Sequence, residues 1–188
     1  MKITRPWSVL VLTLSLTACA GAPELLGRPG SAPAGVDFSG LWTLRSETGS
    51  PLAKALDAEQ TIEVPRRSAA RMPERRRSEI SDVRVFLESG QDLKISQTPY
   101  SLFVAFDRAI VEEFTFGENR VVEVGPIEAQ RVSGWDGATF VVETMDRKGT
   151  LLTERWRFAG GDDTLWRELT IAKGGQLRLS TRQEFERR

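Results

Sequence analysis

The chain contains no histidine. That absence excludes zinc, copper and haem sites of the usual kind, serine and cysteine triads, and imidazole acid–base chemistry. There is one cysteine, Cys19, so no internal disulfide can staple the fold. Tyr100 is the only tyrosine. An enzyme would have to work with carboxylates, Lys, Arg, Ser or that tyrosine, which leaves a carboxylate-based hydrolase as the catalytic alternative. The adjacent acids Glu112 and Glu113 fall in a predicted strand, where neighbours point to opposite faces and cannot form a dyad. Asp162-Asp163 follows Gly160-Gly161 and reads as a hairpin turn rather than a calcium loop, which needs a longer acidic spacing. Phosphate-binding loops, dinucleotide-binding glycine patterns and nucleophile elbows are all missing. Nor is there an excess of positive charge: 26 basic side chains meet 26 acidic ones, which disfavours a general nucleic-acid binder. Lysine is scarce, with five against 21 arginines.

What is present begins at the N-terminus. Lys2 and Arg5 precede an apolar stretch from Trp7 to Leu16, followed by small residues and then Cys19. This is the order of a secretory signal peptide. The apolar stretch is about half of the roughly 20 residues a membrane-spanning helix needs. Residues 1–18 are therefore expected to be removed. Leu16-Thr17-Ala18-Cys19 resembles the lipobox of bacterial lipoproteins. The resemblance implies cleavage just before Cys19, which would carry a diacylglycerol and an N-acyl chain, with no other cofactor and no metal. More than one acyl chain is needed for firm anchoring, which such chemistry supplies. In the sorting rule of enteric bacteria, alanine after the cysteine, here Ala20, points to the outer membrane rather than the inner one. Cleavage would leave 24 basic against 26 acidic side chains.

Residues 19–37 are rich in Ala, Gly and Pro and read as a flexible tether behind the lipidated cysteine. Residues 38–188 read as a single antiparallel β-domain. Short runs of alternating apolar and polar residues predict strands over 92–97, 100–106, 110–116, 120–124, 129–134, 138–145, 151–159, 165–172 and 176–185. They are broken by turn sequences such as Gly117-Glu118-Asn119, Trp135-Asp136-Gly137 and Lys173-Gly174-Gly175, too closely spaced for crossover helices. An entry strand is expected at 38–44 and a short one at 61–64. Ile80, Val83, Phe86 and Leu87 stand at helical spacing and predict a short amphipathic helix over 79–88, placed to plug a barrel end. In 151–159, Leu152, Glu154, Trp156 and Phe158 share one face and Thr153, Arg155 and Arg157 the other. A sheet with one dry face must curl or be covered. The expected fold class is mainly β: an antiparallel up-and-down meander forming a barrel or curled sheet, with one short helix in the N-terminal third.

The sequence from Asp37 to Leu44, DFSGLWTL, resembles the glycine, one residue, tryptophan signature that opens lipocalin barrels. The hairpins from Ser133 to Thr144 and from Thr153 to Leu165 are similar to those of uncharacterised small envelope β-barrel proteins. The resemblance implies a barrel able to hold an apolar ligand, with Gly40 and Trp42 in a barrel-closing, structural role. The further loop motifs and disulfide common among lipocalins are absent. Trp42, Trp156 and Trp166 lie within predicted strands, where core packing is the default. Trp135, in a turn-like Trp-Asp-Gly, is expected to be the exposed tryptophan. Arg66, Arg67, Arg71, Arg75, Arg76 and Arg77 put six arginines into 12 residues. They read either as a basic loop for anionic lipid phosphate or an acidic partner, or as a solvated segment of an arginine-biased composition. The sequence thus points to a non-enzymatic, lipid-anchored envelope protein that binds a small apolar ligand or a protein partner. The alternative is a structural, assembly-supporting lipoprotein with a filled barrel.

Overall fold

The computed structural model describes residues 24–52, 83–125 and 127–188. Cys19, the signal segment, the expected strand at 61–64 and the six arginines of 66–77 lie outside the described residues. The described residues form ten antiparallel strands: β1 Gly40–Gly49, β2 Asp92–Gln97, β3 Ser101–Phe106, β4 Ile110–Thr115, β5 Asn119–Val124, β6 Ile127–Asp136, β7 Thr139–Asp146, β8 Thr150–Phe158, β9 Thr164–Lys173 and β10 Gln176–Arg187. All belong to one sheet in the order β4-β3-β2-β1-β10-β9-β8-β7-β6-β5. Each pairing joins strands adjacent in sequence except β1 with β10, which brings the two ends of the meander together.

The sheet curls because the apolar side chains of its inner face have nothing else to pack against. Alternation decides which residues turn inward. On β8 these are Thr150, Leu152, Glu154 and Trp156, as the pattern of the sequence indicates. Their cross-strand partners on β7 and β9 carry Phe140, Val142 and Thr144 on one side and Leu165, Arg167, Leu169 and Ile171 on the other. The curl brings β4 round towards β6. Phe116 N–H still bonds the carbonyl of Tyr100 (2.7 Å), extending the β3–β4 pairing. One residue later Gly117 N–H bonds the carbonyl of Ser133 (2.8 Å), and Ser133 N–H bonds that of Glu118 (3.2 Å). The chain thus turns a corner from β3 to β6. Strands β4 and β5, the edges of the sheet, have no ladder between them.

One end of the interior is packed by aromatic rings. Phe38, Trp42, Phe114, Phe116, Trp135, Phe140, Trp156 and Phe185 are all buried and belong to one cluster with Leu93, Ile95, Leu102, Val104, Phe106 and Leu165. Phe140 is at its centre, with ring centroids 6.1 Å from Phe114, 5.3 Å from Phe116 and 5.4 Å from Trp135. Edge and tilted contacts of this kind are each worth about 0.5–1.5 kcal/mol beyond area burial. Trp135 is 3% exposed, contrary to its expected place at the surface. Strand β6 runs on through Asp136, one residue past the tryptophan, so Trp135 keeps the inward parity of Arg131 and Ser133. Trp166 departs from the core expectation in the other direction. It follows Leu165 and precedes Arg167, so it faces outward, between the guanidinium groups of Arg157 (4.5 Å) and Arg182 (4.6 Å).

The short helix expected over 79–88 is not formed in its described part. Val83–Phe86 make one turn of 3-10 helix, closed by Leu87 N–H on the carbonyl of Arg84 at 2.9 Å. The reason is that the apolar residues serve two clusters. Val83 and Leu87 join Leu52, Leu152, Leu169, Ile171 and Leu179, while Phe86 joins Val122, Ile127 and Ala129. Two β-branched valines in four residues further weaken an α-helical turn. The segment nevertheless covers the end of the interior opposite the aromatic cluster.

Residues 25–29 of the expected tether lie against β6, while Ala32 and Val36 pack on the interior cluster. The amide N–H of Leu25 bonds Oε1 of Gln130 (2.9 Å), Arg28 pairs with Glu143 (2.8 Å), and the amide of Trp135 bonds the carbonyl of Pro29 (3.0 Å). Gly134 permits this approach. A Cβ there would stand 2.5 Å from the carbonyl oxygen of Pro29 and 2.7 Å from Cβ of Arg28. Among the described residues no helix is long and apolar enough to cross a membrane.

Candidate functional site

Below the aromatic end, the inner face of the sheet becomes polar. Arg167 is 1% exposed and held by the carboxylate of Glu154, whose Oε2 accepts from Nε at 3.0 Å and from Nη2 at 2.6 Å. Its Nη1 donates to the backbone carbonyl of Glu88 (2.7 Å) and to Oε1 of Gln183 (3.4 Å). Gln183 in turn donates Nε2 to Oε2 of Glu47 (2.9 Å). The guanidinium plane is packed against Trp156 (4.8 Å to the ring centre) and Phe106 (5.0 Å). Glu154 and Arg167 sit on neighbouring strands, and the register brings Glu154 opposite Leu169, one inward position from Arg167. A buried charge unpaired in such surroundings would cost several kcal/mol.

Arg131 lies nearer the β4–β5 side. Its Nη1 bonds Glu112 (3.4 Å), its Nε bonds Oγ1 of Thr144 (3.4 Å), and its guanidinium packs between the rings of Phe114 (5.6 Å) and Phe86 (5.8 Å). Glu112 turns inward and Glu113 outward, as expected of strand neighbours.

The unpaired edges border a cleft. Its volume is about 460 Å³, within the range of roughly 300–1,000 Å³ typical of small-molecule sites. Glu112 of β4 forms one wall, Arg120 to Val124 of β5 the other, Arg131 of β6 its back, and Val85, Phe86 and Glu88 its end. The opening exists because the curl leaves β4 and β5 without a ladder. Val124 (45% exposed) lies bare on its β5 side, with the inward parity of Val122, while Val121 (62%) stands opposite Gln130 on the outer face.

Glu88 stands out electrostatically. Its carboxyl titrates above the usual 4.5, first because burial disfavours the charged form, then because the charges of Glu112 and Glu154 repel it, Arg167 acting in the opposite sense. Three carboxylates, Glu88, Glu112 and Glu154, thus meet two guanidinium groups, Arg131 and Arg167, in this region. Both arginines are taken up by Glu112 and Glu154, and the surplus carboxylate is Glu88. Among the described residues no group of three acidic side chains is placed to hold a metal ion.

Of the residues singled out from the sequence, Gly40 and Trp42 stand at the aromatic end, away from the cleft. Trp42 Nε1 donates to the carbonyl of Phe38 (3.0 Å), and Arg187 packs over the indole (4.2 Å) while its Nη1 donates to the carbonyl of Ser39 (2.7 Å). Gly40 has a φ of 152°, and a Cβ there would meet Nη1 of Arg187 at 2.5 Å. Cys19, Arg66, Arg67, Arg71, Arg75, Arg76 and Arg77 are outside the described residues. The residues that sequence reasoning missed are Glu88, Glu112, Arg131, Glu154, Arg167 and Gln183. A signal existed for two: Glu154 and Arg167 are charged residues in apolar alternating runs, on the same face as Trp156 and Leu165 respectively.

No protein-family model matches the chain, and no curated protein matches its sequence. Similar solved structures include fatty-acid-binding protein 1 of Echinococcus granulosus, at 13% identity and a TM-score of 0.47 over 80% of this chain and 96% of that one. Lipid binding protein 8 of Caenorhabditis elegans gives 13% identity and a TM-score of 0.47 over 82% and 100%. A luciferase domain from the dinoflagellate Lingulodinium polyedrum gives 16% identity and a TM-score of 0.50 over 87% of this chain and 46% of that one, so the chain spans less than half the length of that structure. The likeness to the luciferase domain is one of fold alone.

Proposed function

We propose that this protein is a non-enzymatic lipoprotein of the cell envelope, anchored through acylated Cys19 and most at home in the outer membrane, whose curled sheet binds a small amphipathic molecule through the cleft between β4 and β5. The observation that carries the reading is that cleft. It offers apolar contact from Val85, Phe86 and Val122 and charged groups from Glu88, Glu112 and Arg131, in a sheet otherwise laddered from β4 to β5. A concavity of this size with polar groups converging beside apolar side chains can hold a small molecule. The case for anchoring is the lipobox-like Leu16-Thr17-Ala18-Cys19. The arginine-rich stretch 66–77 is suited to meet anionic headgroups beside the anchor.

The test is native mass spectrometry of the mature protein, taken from its own host's envelope in mild detergent. A small mass that stays on the folded protein and is lost on denaturation is the expected result. Replacing Cys19 by Ala should release the protein from the membrane fraction. A clean mass without ligand favours the second reading, a structural lipoprotein with a filled interior, which the ring packing around Phe140 supports.

A further inference from the structure

The charge balance of the cleft goes further and names the class of molecule that suits it, resting on the proposal that the cleft is a binding site. We infer that the cleft between β4 and β5 selects an amphiphile with a cationic head, a primary ammonium or a quaternary one, and rejects an anionic one. Three features of the geometry carry this.

The first is that each interior arginine already holds a carboxylate. Arg167 gives Nε and Nη2 to one oxygen of Glu154 and Nη1 to the Glu88 carbonyl and Gln183. Arg131 gives Nη1 to Glu112 and Nε to Thr144. An incoming carboxylate would have to share Arg131 with Glu112 or take Arg167 from Glu154, and freeing the buried carboxylate of Glu154 costs several kcal/mol. The second is that the uncommitted charge facing the cleft is negative. Glu88 lines its end, whereas Glu123, opposite the outward Glu128 of β6, falls on the outer face of β5. Arg120, the remaining cation of the lining, is held at 2.9 Å by Glu118. The third is that the uncharged side chains of the lining, Val85, Phe86, Val122 and Val124, are apolar and suit a hydrocarbon segment beside the head. An ammonium head seated by Glu88 would complete the pairing of three carboxylates with three cations. Its hydrocarbon body would lie against Val122 and Val124 of β5.

The experiment compares three probes of equal chain length, n-dodecylammonium, dodecanol and dodecanoate, each below its micellar concentration. They are titrated calorimetrically into the full mature protein at neutral pH. The expected order is ammonium first, alcohol second, carboxylate last, with the ammonium preferred over the carboxylate by about tenfold or more. In Glu88→Gln the preference should collapse while dodecanol binding stays the same, and melting followed by circular dichroism should show the variant folded. Arg120→Gln is the companion variant: it removes a cation from the same wall and should sharpen the ammonium preference. Equal binding of all three probes, or a preference for dodecanoate, overturns the charge assignment and leaves the cleft as a site. If no probe binds, the proposed function fails with it.

Discussion

The two halves of the interior solve the same problem by opposite means. At the aromatic end the inward residues of the sheet include Trp42, Phe114, Trp135, Phe140, Trp156 and Phe185, and their rings, with aliphatic side chains such as Leu93, Ile95 and Leu165, fill the space. Two to four residues further along these strands, and on β9, the inward positions are Glu112, Arg131, Thr144, Glu154, Arg167 and Gln183. There the space is filled by charges that have to satisfy one another. The aromatic end would be stable with any rings of suitable volume, so its composition tells nothing of a ligand. The polar half costs desolvation that an apolar filling would avoid. A chain that keeps such residues at the mouth of a cleft keeps them where recognition is the simplest use for them.

The sharpest way to break the contrast is at its aromatic pole. Phe140→Ala removes the ring that touches Phe114, Phe116 and Trp135 at once, leaving a cavity walled by the barrel itself. The expected loss is about 3–5 kcal/mol in urea unfolding, with dodecanol binding at the cleft kept wherever the variant is folded. A loss under about 1 kcal/mol would show that the aromatic end is loosely packed. At the polar pole, Glu154→Ala strands the Arg167 guanidinium at 1% exposure. The expected loss is again about 3–4 kcal/mol, within the range found for breaking a buried pair. Here a second substitution separates the two halves: Glu154→Leu with Arg167→Met replaces the pair by apolar side chains and should recover most of the loss. Failure of that double variant to recover would mean that Gln183 and the Glu88 carbonyl, both bonded to Arg167, depend on the guanidinium for their own order. Gly134→Ala tests the region outside the barrel. Its Cβ has no room beneath Pro29, so the segment 24–36 must shift, at about 1–2 kcal/mol, and faster amide exchange at Trp135, whose N–H bonds Pro29, should report it.

The same contrast explains what could be read from the sequence. The ten strands were legible because one wet face and one dry face impose a period of two, and turn sequences such as Lys173-Gly174-Gly175 end the runs. The face of Glu154 was legible for the same reason. Its partner was not, because Arg167 lies 13 residues away and only the register of β8 on β9 brings the two together. Trp135 was misread because Asp136-Gly137 looks like the start of a turn, whereas the strand continues to Asp136 and parity carries the ring inward. Trp166 was misread for the complementary reason: its stacking partners Arg157 and Arg182 come from two other strands. The helix over 79–88 failed because periodicity shows which residues are buried, not that they are buried in one place; Val83 and Phe86 enter different clusters. The cleft was invisible altogether, since it follows from a missing ladder between β4 and β5, and a missing pairing leaves no mark on either strand.

The smallest expected effect tests the surplus charge on which the polar half turns. Glu88 is pushed above the usual 4.5 by burial and by Glu112 and Glu154, against the pull of Arg167, with Arg131 facing the same cleft from β6 and Arg120 from β5. A carboxyl whose folded value is raised binds its proton more tightly in the fold than in the unfolded chain. Its contribution to stability is therefore complete below 4.5 and is lost as the pH rises through the higher folded value. Glu88→Gln carries no such charge, so it should be more stable than the natural protein at neutral pH. The difference should fade as the pH is lowered to below 4.5. Bound dodecylammonium should reverse the order at neutral pH, because it gives the Glu88 carboxylate the partner that the fold withholds. Urea midpoints for both proteins, taken at neutral and at acid pH with and without the probe, decide the matter. If Glu88→Gln is less stable than the natural protein at neutral pH without ligand, the carboxylate already has a partner, and Glu88 is a structural residue of the polar half rather than its open charge.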